Sequence, residues 1–137
     1  MKANTIFNRL IKYIDYKHKL PVYIINLLEN EGEVRWGECI CLSKKLKSQE
    51  TKLSVLLHEV GHIELNHYNS KKNNKTKDIE AEIFSIYIML NLGFIEYLYK
   101  SVDYLKDNGA EQKRIEISMG LIKKKADKII KIIKNKF

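Results

Sequence analysis

The sequence predicts an α+β fold: a small sheet of about three strands surrounded by helices. Three observations carry this. Short apolar, β-branched runs bounded by turn residues lie between residues 22 and 43. The segments before and after them place apolar residues at helical spacing. Pro21, the only proline in 137 residues, stands between the first helical stretch and the first strand as a breaker. That length suits one domain with a real core.

The elements follow in order. Residues 5–18 form a first amphipathic helix, with Ile6, Phe7, Leu10, Ile11 and Ile14 as its stripe. VYIINLL, residues 22–28, reads as a buried strand, and ENEG as a turn. EVRWG and ECICLS, on either side of Gly37, read as two short strands forming a hairpin. Ser48, followed by Gln49 and Glu50, is an N-cap with an acidic first turn and opens a second helix. SKKNNKTK, residues 70–77, is a polar loop. DIEAEIFSIYIMLNLG is a third helix ended by Gly93, with Ile79, Ile83, Ile86 and Leu90 as its core stripe. IEYLYKSVDYLKDNG and the last two dozen residues are helical as well.

Composition limits the function classes. With 45% apolar residues the chain fits a globular protein, and no apolar run approaches the ~20 residues of a membrane span. The N-terminal stretch is broken by charges throughout, unlike a secretory leader. Cys39 and Cys41, two apart on a strand, point to one face too close along the chain for an ordinary disulfide. They read as small core or half-buried residues in a reducing, cytoplasmic setting, not as metal ligands. Net charge is +8, concentrated in residues 70–77 and in LIKKKADKIIKIIKNKF. There Ile122, Ala126, Ile129, Ile130, Ile133 and Phe137 form one face and lysines fill the rest. A docked helix with solvated lysines explains this, and nucleic acid is a weakly supported partner.

The chemistry lies in HEVGH, residues 58–62. On a helix, His58 and His62 lie one turn apart on the same face, so both imidazoles can reach one ion. Glu59 is rotated about 100° from His58, beside the ion and not on it, where it can take a proton from water. Gly61 costs about 1 kcal/mol in a helix relative to alanine, and here it admits a close neighbour. Leu53, Leu56, Leu57, Val60 and Ile63 surround the motif, whereas a chance HExxH belongs in exposed, charged surroundings.

Two ligands are too few. A third histidine ten residues after the first is absent, because position 68 is Tyr68. His67 is one residue off and is expected near the helix end in solvent. The remaining source is a glutamate of DIEAEIF, either Glu80 or Glu82. They lie roughly 200° apart on a helix, and periodicity does not choose between them.

HEVGHIELNH followed by IEAEIFSIYIML resembles the ImmA/IrrE-type metallopeptidases of bacteria, phages and mobile elements, over roughly residues 20–92. Those proteins share HExGH, a variable loop and an E-A-N/D-x-F-A helix. The resemblance places His58 and His62 on the zinc ligands, Glu59 on the catalytic glutamate, Glu80 on the third ligand and Phe84 on the motif aromatic. Glu82 stands where Asn or Asp is usual, Ser85 where Ala is usual, and the Leu-Met-Pro ending is missing.

The resemblance implies a reduced zincin-like domain and an intracellular, zinc-dependent endopeptidase. Its substrate would be a helix-turn-helix repressor whose cleavage derepresses phage, mobile-element or stress genes. A peptide substrate is expected to add to an edge strand, taken here as ECICLS, with Tyr68, Tyr87 or His67 stabilising the oxyanion. The expected organisation is a catalytic core over residues 1–95 and a basic helical extension over 96–137 packed on the same domain. Two other classes compete. One is a non-catalytic, metal-containing interaction module. The other is a nucleic-acid-binding protein using the basic C-terminal helix.

Overall fold

The computed structural model describes residues 1–107 and 116–135. It is an α+β fold with a three-stranded sheet, as the sequence predicts. Helix α1 spans Ala3–His18, followed by strands β1 (Val22–Ile25), β2 (Gly32–Arg35) and β3 (Cys39–Ser43). Helices α2 (Gln49–Glu64), α3 (Asn74–Asn91), α4 (Tyr97–Asp107) and α5 (Met119–Asn135) follow. Phe137, at the end of the isoleucine stripe, lies outside the described residues, as do residues 108–115.

The strand order is β1-β3-β2, with β1 parallel and β2 antiparallel to β3. This corrects one expectation. β3, which carries ECICLS, is the central strand and both its edges are already paired. The reason is local: β2 and β3 close the hairpin through Gly37 at φ 77, and the chain from α1 brings β1 to the far edge of β3. The free edge beside α2 belongs to β2.

All five β3 residues are buried because both faces are covered. Ile40 and Leu42 join the main core, while Cys39 and Cys41 face Leu27 on the other side. Their sulfurs are 3.7 Å apart as free thiols, and burial pushes the Cys41 thiol up to about 11.

Ser48 caps α2 as expected, its hydroxyl accepting from the Thr51 N–H at 3.0 Å. Helix α3 starts one turn earlier than expected, because Asn73 accepts from the Thr76 N–H at 2.8 Å and draws residues 74–77 into the helix. The two helices cross closely. A Cβ on Gly61 would sit 3.1 Å from Ala81 Cα, so the glycine is what lets α3 approach α2. Phe84 fills the space beside it, wholly buried. Ser85 donates to the Ser54 carbonyl at 2.8 Å, which gives its hydroxyl a partner inside this interface.

On the far side, α1 is held to α2 by Glu64, whose buried carboxylate accepts from Tyr13 at 2.6 Å and from Lys17 at 3.0 Å. Helix α5 buries Ile122, Ala126, Ile129, Ile130 and Ile133, consistent with a docked helix whose lysines face water. Among the described residues no helix is long and apolar enough to cross a membrane.

Candidate metal centre

The crossing of α2 and α3 determines which side chains meet. Asp78 lies three residues before Ala81, on the turn of α3 that projects past Gly61 toward His62. Its Oδ1 is 3.2 Å from His62 Nε2 and 3.7 Å from His58 Nε2. The imidazole centroids are 4.9 Å apart. One donor atom each from His58, His62 and Asp78 falls within 4.8 Å of the others. Ligands at about 2.0–2.1 Å from a tetrahedral ion are separated by about 3.3–3.5 Å. These three groups therefore need only small side-chain adjustments to share one ion.

The charges agree with the geometry. Burial alone would lower the His58 pKa, but the Asp78, Glu82 and Glu59 carboxylates outweigh it and hold the imidazole up to about 10. Burial, with His58 and His67 nearby, pulls His62 down to about 4. The His58 bond keeps Asp78 below the usual carboxylate range.

Glu59 is buried on the same helix, and its Oε2 has no hydrogen-bond partner among the described residues. Burial pushes this carboxyl up to about 7. A buried unpaired oxygen is costly in a purely structural site and suits a group that handles protons.

Glu80, expected as the third ligand, stands elsewhere. Its carboxylate is buried, receiving His67 Nε2 at 2.9 Å and Lys72 Nζ at 2.7 Å. Burial would raise its pKa, but these bonds outweigh it and hold the carboxyl at about 2. The cause is helical rotation. Asp78 and Glu82 are four apart and share a face, while Glu80 lies on another. Glu82 reaches the opposite nitrogen of His58, with Oε2 3.5 Å from Nδ1. Asp78, which the sequence places at the start of this helix without assigning it a role, is the carboxylate that the structure brings to both histidines, and its four-residue spacing from Glu82 is the signal that could have pointed to it.

His67, expected in solvent, is buried. Asn66 takes a left-handed conformation at φ 56, turning the chain back so that His67 tucks beneath His62. The two Nδ1 atoms are 2.8 Å apart. Tyr87 is turned away from the centre and donates to Asp127 at 2.7 Å. Tyr68 lies on the wall of the cleft, its ring 5.3 Å from that of Trp36.

The cleft has a volume of about 750 Å³ and runs between β2 and the two metal-site helices. Gly32 keeps β2 close, since a Cβ there would meet Val55 Cγ1 at 2.8 Å and Glu59 Cγ at 3.3 Å. Glu29, Glu31 and Glu33 line the β2 side, so this wall is acidic in a chain of net charge +8.

A family model described as the IrrE N-terminal-like domain of peptidase M78 matches residues 14–127, reaching past the roughly 20–92 over which the motif resemblance extends. No curated protein and no solved structure matches the chain. The matched span takes in the sheet, both helices of the centre and the first half of α5, and that extent establishes kinship: the chain belongs to the IrrE N-terminal-like family of M78 peptidases.

Proposed function

We propose that this metallopeptidase-type protein is a zinc-dependent endopeptidase in which His58, His62 and Asp78 hold the metal and Glu59 is the catalytic base. The observation that carries the reading is the meeting of two imidazole Nε2 atoms and one carboxylate oxygen beside a buried, unpartnered glutamate. Asp78 replaces Glu80 as third ligand because Glu80 is committed to His67 and Lys72.

Bound zinc supplies Lewis acidity that polarises a carbonyl and lowers the pKa of water toward ~7. The rest falls to the protein. Glu59 accepts the proton of the attacking water and returns it to the departing amine. A carboxyl pushed to about 7 suits both transfers near neutral pH. The free edge of β2 aligns the peptide as an added strand, with backbone hydrogen bonds fixing its register. Tyr68, exposed on the cleft wall, serves as the oxyanion donor, a choice supported by the engagement of Tyr87 with Asp127 and of His67 with His62 and Glu80.

The substrate is an intracellular helix-turn-helix repressor, as the sequence resemblance implies. The acidic wall of Glu29, Glu31 and Glu33 supports this choice, because DNA-binding proteins are rich in Lys and Arg. The test is incubation of zinc-loaded protein with its genomically adjacent repressor. Discrete fragments from wild type and none from Glu59→Gln, with zinc retained in both, are expected. Intact repressor bound by both forms would replace the peptidase reading with a non-catalytic interaction module.

A further inference from the structure

We propose that Glu80 and His67 are positioning residues: a buried relay that fixes the tautomer of His62 so that Nε2 presents its lone pair to the metal. This rests on the reading of His58, His62 and Asp78 as the metal ligands.

Each proton follows from the one before it. Glu80 is ionised between Lys72, at 2.7 Å from Oε2, and His67, at 2.9 Å from Oε1. A carboxylate only accepts, so the proton on His67 sits at Nε2 and points to Glu80. With that proton at Nε2, His67 turns Nδ1 toward His62 as an acceptor. That atom faces His62 Nδ1 at 2.8 Å, and a hydrogen bond forms only if His62 carries its proton there. His62 Nε2 is thereby left with a lone pair, directed to the side where Asp78 Oδ1 lies 3.2 Å away. Ligating histidines generally donate their other ring N–H to a fixed acceptor, and such acceptors affect metal affinity. Here the acceptor is a second histidine backed by a glutamate, both 2% exposed. On the other ligand, Glu82 faces His58 Nδ1, so both imidazoles turn Nε2 inward.

The role suits residues that sequence spacing places near the ligand set but geometry keeps off the metal. His67 is one residue short of a ligand position, and Glu80 faces away from the ion. Together they form one hydrogen-bonded unit behind it.

Zinc affinity, read by competition with a chromophoric chelator, tests the relay in His67→Phe and His67→Gln. Glutamine can accept from His62 Nδ1 through Oε1 and donate to Glu80 through its amide, whereas phenylalanine does neither. Wild type and His67→Gln should agree within a few fold, and His67→Phe should bind on the order of 10–100-fold more weakly. Equal affinity in the Phe variant, or equal loss in both variants, overturns the relay and leaves the ligand assignment standing. A wild type that takes up no zinc overturns the ligand assignment and the relay with it.

Long-range ¹H–¹⁵N spectra of zinc-loaded wild type give a second measurement that needs no variant to fold. Protons on His62 Nδ1 and His67 Nε2 are expected. A proton on His67 Nδ1, or on His62 Nε2, overturns the proposal.

Discussion

Asp78 Oδ1 lies 3.2 Å from His62 Nε2, although the carboxylate and the imidazole come from different helices and are separated by the turn at Asn66 and the loop before α3. A ligand and an outer partner should respond differently to removal. Asp78→Asn is expected to weaken zinc binding by more than the roughly 100-fold upper range for outer partners, and Glu80→Gln by less. Chelator competition on both variants checks this. A larger loss in Glu80→Gln would return the third ligand to Glu80.

The α2–α3 crossing makes Gly61 a test of packing. A Cβ there would meet Ala81 Cα and Phe84 Cδ1 at 3.1 Å and the Ala81 carbonyl at 3.2 Å, and helix backbone yields little. Crowding of about 1–3 kcal/mol should outweigh the about 1 kcal/mol that alanine gains in helix propensity. Gly61→Ala is therefore expected to lower Tm and, by moving Asp78, zinc affinity as well. A raised Tm would show that the helices have room to spare.

Glu64 ties α1 to α2, and its contribution should depend on pH. Burial raises its pKa, but bonds from His18, Tyr13 and Lys17 outweigh this and hold the carboxyl at about 2, below the ordinary 4.5. A depressed carboxylate stabilises fully above its unfolded pKa, and the stabilisation fades as pH falls from about 4.5 toward about 2. Glu64→Gln should cost roughly 2–3 kcal/mol at pH 7. Urea unfolding of both proteins across this range checks it. A stability gap that does not narrow on acidification would contradict the ion-pair account.

The acidic wall of the cleft should select for charge. With Glu29 and Glu31 changed to Gln, kcat/KM for a Lys- or Arg-bearing peptide should fall roughly twofold to fivefold per charge at low salt. A neutral peptide should be cleaved as before, and added salt should shrink the difference. Equal effects on both peptides would mean that these carboxylates shape the wall without reading charge.

Much of the scaffold was legible in the sequence because it follows local rules. Ser48 announced its helix, the isoleucines of α5 announced the docked face, and HEVGH placed two imidazoles on one helix face. The remainder depended on relations between segments. Strand order is one: nothing local in ECICLS distinguishes a central strand from an edge, and β1 joins it from across the chain. Asn73 is another, since its cap added a turn to α3 and so moved Asp78 inside the helix. A single left-handed residue, Asn66, took His67 from solvent to the interior.

A crystal structure of the zinc-loaded protein, with data collected at the zinc absorption edge, decides which groups bind the metal. One anomalous peak bonded to His58 Nε2, His62 Nε2 and an Asp78 oxygen at about 2.0–2.2 Å is expected, with Glu59 beside it and unbonded. A peak held by Glu80, or none at the histidine pair, would contradict this assignment.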